Sequence, residues 1–482
     1  MKKFISILLL VFSSSLFSQI QIGSSIVGEY SGDQSGFSVA ISDNGLIIAV
    51  GGPENDGGGN DAGHVRIYNY SNNNWVQSGN DIDGYSSYAS CGRSISLSAD
   101  GSVIAVSAPQ AADSTGQFVG NVSVLEYSNG NWNQLGNNII GTGNGNSIGK
   151  SVSLSDNGTI VAIGAKKSGD ISQVKVLEYA NGNWIQKGSD IDCDTSLTNS
   201  NFGTSISLSG NGGRVAIGDS YNDSNGSNSG QVNIYEFSNG SWIQLGSAIN
   251  GESAGDWSGE SVSLSNNGNI VAIGASGNDN NTGHVRIYEY SNGNWSQIGS
   301  DIDGQPYEQF GRSVSLSNDA IKIAVGAPNL DHVRIYKYSN GNWSQQGSDI
   351  NRETPSDRTG WSVSISGDGS KVSLGAPEYG LAGSTKIGQV RVYQISSVSI
   401  KDYSMNTINL NPNPTNGIFT IQLENENIGS SYHILDNLGR LIDKGIIREL
   451  SQDFDLSDKP KGVYRIQVSN EKSLKTVNVV IQ

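Results

Sequence analysis

Seven stretches of the chain set apolar residues against small polar ones in a single recurring phrase. They are Gly36-Phe-Ser-Val-Ala-Ile, Gly92-Arg-Ser-Ile-Ser-Leu, Gly149-Lys-Ser-Val-Ser-Leu, Gly203-Thr-Ser-Ile-Ser-Leu, Gly259-Glu-Ser-Val-Ser-Leu, Gly311-Arg-Ser-Val-Ser-Leu and Gly360-Trp-Ser-Val-Ser-Ile. Alternation with period two predicts a strand with one face toward a core. A tight turn follows, such as Asp43-Asn44-Gly45 or Asp156-Asn157-Gly158, with the Asn-Gly chemistry of two-residue hairpins. Then comes an apolar strand of the type Val271-Ala272-Ile273-Gly274-Ala275, and a third of the type His284-Val285-Arg286-Ile287-Tyr288. A second turn, as in Ser291-Asn292-Gly293-Asn294, leads to a fourth strand opening at Trp75, Trp132, Trp184, Trp242, Trp295 or Trp343.

The repeat glycines stand 49 to 57 residues apart, the length of a four-stranded unit with generous loops. Side chains grow along each unit: Ser in strand one, Ala and Gly in strand two, Tyr68, Tyr235 or Tyr336 in strand three, Trp in strand four. Small residues inside and large ones outside fill the wedge between sheets that radiate from an axis. The expected fold is therefore all-β, a seven-bladed β-propeller over residues 19–395. Six units have a Trp-type fourth strand. The missing one matches the other end of the chain, where Gln21-Ile22-Gly23-Ser24-Ser25-Ile26 resembles Gln297-Ile298-Gly299-Ser300-Asp301-Ile302. The N-terminal strand should close the last blade and remove the free edges.

After Ile395 the repeat stops. Residues 396–407 read as a linker. From 408 to 482 the alternation in Ile418–Leu423, Tyr432–Leu435, Val463–Val468 and Val477–Ile481 predicts a small Ig-like antiparallel β-sandwich.

Composition sets the compartment. Lys2, Lys3 and the apolar run Phe4–Phe12 read as a signal peptide over residues 1–18, cleaved before Gln19. The run is too short to span a bilayer, and no other segment is long enough. With 63 glycines and a net charge of -16, the chain suits an exported, many-turned β protein. Its acidity opposes phosphate backbones, so no nucleic-acid partner is expected. Cys91 and Cys193 fall two blades apart, beyond disulfide reach.

Phe202-Gly203 and Phe310-Gly311, with Gly326-Ala327-Pro328 and Gly375-Ala376-Pro377, make the propeller similar to FG-GAP repeats, the type found in the integrin α head. Calcium loops of that family lie between strands one and two. Here that connection is a tight turn, so those sites should be absent. The end of the chain resembles the C-terminal sorting domain of type IX secretion substrates. Pro412, Asn413 and Pro414, then Gly439, then Gly462 and Tyr464, then Lys475 carry the likeness. It implies export through the type IX machinery and a secreted or outer-membrane surface location.

No arrangement of catalytic residues emerges. His-Glu-x-x-His and Gly-x-Ser-x-Gly are missing. His64, His284 and His332 open equivalent third strands in different blades, too far apart to share one metal. Two Asp around one Ile, at 81–83 and 301–303, offer too few ligands for calcium and read as solvated strand ends. Connections from strand two to three, and from blade to blade, are long and unequal, and both emerge on one face. Variable loops on a rigid scaffold favour a binding surface. Its candidate ligand-binding residues are Tyr85, Tyr88, Trp257, Tyr307 and Tyr379, among acids such as Asp33, Asp56, Asp256, Glu308 and Asp331. The expected role is non-catalytic and adhesin-like, with a glycan or protein ligand, acting as a monomer. No cofactor is required; calcium is compatible with the acidic loops, and the metal state is left open. The competing readings are a polysaccharide lyase or hydrolase on the same scaffold, and a structural spacer without a ligand.

Overall fold

The computed structural model describes residues 17–142, 147–167, 171–193, 200–380, 385–397, 408–423, 428–436, 440–469 and 474–482. The charged and apolar start at 1–16, most of the expected linker and Gly439 lie outside them. Two compact units divide the chain, one spanning Phe17–Ser396 and the other holding Ser397–Gln482.

Among the described residues the first unit forms seven antiparallel sheets of five strands each. One sheet shows the plan: Ser261–Leu264, Ile270–Ala275, His284–Ser291 and Asn294–Gln297 pair in order, and short Ile302–Asp303 returns to pair with the third strand. That fifth strand is the Asp-Ile-Asp run, which turns back along the sheet rather than ending in solvent. The sheet numbered last in the chain is composite. Ser362–Ile365, Lys371–Ala376 and Gln389–Ser397 are joined by Phe17–Gln21 as outer strand and by Ile26–Val27 as the short fifth.

The serines of the repeat explain why the inner strands hold together around the axis. No ladder joins one sheet to the next there, so side chains bond instead. The first serine donates across the seam to the carbonyl of the next repeat glycine: Ser205 to Gly259 at 2.7 Å, Ser261 to Gly311 at 2.8 Å, Ser362 to Gly36 at 2.8 Å. The second serine accepts the N–H of the next sheet's Leu or Ile, as Ser207 does from Leu264 at 2.9 Å and Ser263 from Leu316 at 2.9 Å. At one end of the axis the tight turns link directly. Backbone N–H groups of Asp43, Ala99, Asp156, Gly210, Asn266, Asn318 and Asp368 donate in turn to the carbonyls of Ala99, Asp156, Gly210, Asn266, Asn318, Gly367 and Asp43. The chain of bonds returns to its start, so the sheets form a closed ring.

The outer seams are closed by tryptophan. Each indole N–H donates to a backbone carbonyl of the preceding sheet, from Trp295 to Leu245 at 2.7 Å to Trp343 to Ile298 at 3.1 Å. The composite sheet lacks the tryptophan, and Gln19 takes its place: its side-chain amide donates to the Gln346 carbonyl at 2.7 Å. Repetition of one bond at one position identifies these tryptophans as packing residues.

The second unit has two sheets. Asn409–Asn411, Ile418–Gln422 and Ser451–Asp455 form one; Leu441–Ile446, Ser431–Leu435, Gly462–Ser469 and Leu474–Ile481 form the other. They share one core built on Phe419, Ile421, Ile434, Phe454, Tyr464 and Ile466. Among the described residues the chain contains no helix beyond the single turn Asn278–Asn281.

Candidate functional site

Each repeat glycine turns the chain in toward the axis, so the residue after it sits at the channel mouth. These seven residues are Phe37, Arg93, Lys150, Thr204, Glu260, Arg312 and Trp361, one per sheet. Together they surround an axial cleft of about 370 Å³. The cleft opens beside the long connections, with Asn201 and Tyr221 on its wall.

Half of the rim is a continuous cationic and aromatic arc. The Arg312 guanidinium lies 4.5 Å from the Trp361 ring centre, Trp361 and Phe37 are 5.5 Å apart, and Arg93 lies 4.9 Å from Phe37. Arg358 approaches Trp361 from outside at 5.6 Å. Stacking on aromatic faces fixes the guanidinium planes while leaving their N–H edges for a ligand. On the sheet next to that of Arg93, Lys150 bonds to Asn201, which is held by Asp219 and Ser220. Glu260 is the one carboxylate among the described lining residues, and it already faces Arg312 at 3.4 Å and Ser276. Burial among the cleft walls pushes the Lys150 amine down to about 8, with Lys166 and Arg93 adding to the effect and Asp219 opposing it. Three cations and one acid thus line the mouth of a chain whose net charge is -16.

The aromatics expected on the loops are placed unequally. Trp257 joins Tyr221, Lys150 and Lys166 along a groove of about 680 Å³ that continues the cleft. Tyr85, Tyr88 and Tyr307 are exposed on the inter-sheet connections but line neither cavity. Tyr379 must be corrected: it is 8 % exposed and packs on Ala376 and Ile387, so its ring is core and not ligand surface. Tyr88, Trp257 and Tyr307 have φ of 62°, 56° and 64°. A bulky side chain in the left-handed region is strained, and such strain concentrates at functional sites.

Several loop acids are also structural. Asp33 and Asp256 are 2 % exposed and accept the backbone N–H groups of Glu29 and Tyr30, and of Glu252 and Ser253. Their carboxylates fold the loops and are not presented to a ligand. The three histidines sit at separate seams, His64, His284 and His332 each buried beside carboxylates of its own.

In the second unit Asn413 fixes the Pro412–Pro414 segment against the last strand, donating to the Asn478 carbonyl and accepting the Val480 N–H, both at 2.9 Å. Tyr464 is buried and donates to the Pro460 carbonyl at 2.7 Å, Gly462 opens its strand, and Lys475 stands opposite Val468. Residues 409–482 match the family described as "Secretion system C-terminal sorting domain". The tail is a type IX sorting domain. This sorting domain marks the chain as a secreted or cell-surface protein that meets the type IX machinery. No helix among the described residues is long and apolar enough to cross a membrane.

No curated protein matches the chain. Among solved structures, the β-propeller domain of Cps50 (Swd1) from Myceliophteria thermophila superposes with a TM-score of 0.53, at 11 % identity over 79 % of this chain and 100 % of that one. A protein from Lactobacillus plantarum has a TM-score of 0.47, at 13 % identity over 85 % of this chain and 99 % of that one. The first likeness shows the fold, a β-propeller, and nothing of the function.

Proposed function

We propose that the chain is a non-catalytic, adhesin-like binding protein on a seven-bladed propeller, and that the axial cleft takes the carboxylate of an acidic glycan. On this reading the repeats are of FG-GAP type, residues 1–18 are a signal peptide and the sorting domain is Ig-like. The observation that carries the proposal is the arc Arg312–Trp361–Phe37–Arg93, with Lys150 on the next sheet of the same rim. Flat aromatic faces suit the C–H face of a sugar ring, and guanidinium forks suit a carboxylate. A cavity of about 370 Å³ is of a size to hold a small ligand. Trp257 and Tyr221 extend the surface for a longer chain.

The test is titration with oligo-uronides and with neutral oligosaccharides of the same length. Uronides should bind, and Arg93→Ala or Arg312→Ala should weaken them at least tenfold. Lys150 loses its charge as pH rises through about 8, so affinity should fall across that range. Equal binding of neutral and acidic sugars, or none of either, would count against the cleft.

Lys150 also favours a second reading. A lysine amine near 8 can act as a general base, and an arginine beside a uronate carboxylate would ease proton removal in a β-elimination. Unsaturated products formed by the parent and lost in Lys150→Met would make the protein a lyase.

A further inference from the structure

Two seams between sheets bring together one buried histidine and two carboxylates in the same arrangement: Glu29, His64 and Asp81 at one, Glu252, His284 and Asp301 at the other. In each set the nitrogen and carboxylate oxygens lie within 4.8 Å of one another. The gaps are too wide for hydrogen bonds. His64 Nδ1 is 3.5 Å from Asp81; His284 Nδ1 is 3.8 Å from Asp301 and 4.0 Å from Glu252. His64 is 1 % exposed, and its Nδ1 has no hydrogen-bond partner. Ligand atoms around a tetrahedral ion with bonds of about 2.0–2.2 Å stand roughly 3.3–3.6 Å apart; the His64–Asp81 separation lies in that range and those at His284 exceed it by a few tenths of an ångström.

Other side chains hold Asp81, Asp301 and Glu252 by one oxygen and leave the second facing the histidine, and Glu29 is likewise held by one oxygen. Gln77 donates to Asp81 Oδ1 at 2.6 Å, while Oδ2 faces His64. Gln297 donates to Asp301 Oδ1 at 2.5 Å, while Oδ2 faces His284. Arg286 holds Glu252 Oε1 at 3.3 Å, while Oε2 faces His284; Arg66 holds Glu29 Oε1 at 3.4 Å. Outer-shell partners of this kind orient metal ligands.

The other seams supply contrasts. Where glutamine replaces histidine, Gln389 donates directly to Glu353 at 2.8 Å and the gap closes. At the third histidine, fully buried Glu308 contacts His332 itself and pairs with Arg334 at 2.9 Å, leaving no room for an ion. We propose that the two open seams each bind a divalent transition-metal ion of the zinc class, through His64, Asp81 and Glu29 and through His284, Asp301 and Glu252. One imidazole with two carboxylates is a borderline donor set that suits zinc better than calcium.

The experiment is a Zn²⁺ titration of the full, untagged chain by calorimetry, repeated with Co²⁺ and its visible absorption. The expected stoichiometry is two ions per chain. His64→Gln and His284→Gln should each remove one, and the double variant both. Glutamine occupies the equivalent place at Gln173, Gln231 and Gln389, so the fold accepts it. His332→Gln should leave two. Asp81→Asn and Asp301→Asn repeat the test should a glutamine variant misfold. Fewer than two ions bound by the parent, or zinc retained by the double variant, would overturn the proposal.

Discussion

Gly274→Ala tests how the ring is packed. A methyl group built at this position would lie 2.0 Å from the carbonyl oxygen of Gly311 in the next sheet and 2.4 Å from Ser261 Oγ. Both neighbours belong to the stitch in which Ser261 donates to Gly311 at 2.8 Å. The obstacle is backbone, so one sheet must move by about 1 Å. Overpacking of this sort costs about 1–3 kcal/mol, and losing the stitch adds about 1 kcal/mol. Urea unfolding followed by tryptophan fluorescence should therefore show a loss of roughly 2–4 kcal/mol. The chain contains its own control. Ser107 occupies the corresponding place in another sheet, and there the next inner strand, Ile148–Leu154, shifts register between Ile148 and Val152. Ser107→Gly should cost about 1–3 kcal/mol for a different reason, because it removes the Oγ that accepts the Ser94 N–H at 3.0 Å. If Gly274→Ala stays within about 0.5 kcal/mol of the parent, close approach of the sheets is not what demands glycine.

Gln19→Ala removes the bond to Gln346 and should lower stability by about 1 kcal/mol in the same unfolding assay, much as Trp343→Phe should at the neighbouring seam. Burial raises the Asp43 carboxyl above its ordinary value, with Asp156 and Asp368 adding to the effect and the Asn318 hydrogen bond opposing it. The folded state then holds its proton more tightly than the unfolded chain, so stability should fall as pH rises from 3.8 through the folded value. Asp43→Asn should flatten that slope and be the more stable protein at pH 7, as thermal melts across pH would show. Cys91 is buried and unpaired, and burial pushes its thiol up to about 12. A thiol reagent should leave it untouched in the native protein and modify it at once in denaturant.

The four-strand unit was readable because one phrase recurs in register: Gly-x-Ser-Val-Ser-Leu sets a strand, Asn-Gly a turn, and tryptophan the outer edge. The serines were read only as small residues; that they bond across the seam needs the neighbouring sheet in place. Gln19 escaped notice because its side-chain amide does the work of an indole N–H without looking like one. The axial cleft was in plain view as the single variable letter of the phrase, from Phe37 to Trp361. Loop length is visible along the chain, whereas convergence on an axis is not. Tyr379 shows the converse error: a loop aromatic lying close enough to the core to be absorbed by it. For the histidines, convergence is not needed, since each meets an aspartate of its own sheet and a glutamate from the connection that leads into that sheet.

The composite sheet puts an order on folding. Ile22 donates to the Val392 carbonyl at 2.9 Å, and Gln21 meets Tyr393 although 372 residues separate them. Six sheets can pair from neighbouring sequence alone, but the seventh must wait for the whole array. The entropy of joining such distant ends grows only logarithmically, by about 0.6 kcal/mol per doubling, so closure is slow to arrive and cheap once reached. Until then two flanks of the array expose apolar wedge surface and an unpaired strand edge. Variants that weaken this one junction should therefore show a larger defect in refolding yield, through an open, aggregation-prone intermediate, than their modest loss of equilibrium stability implies.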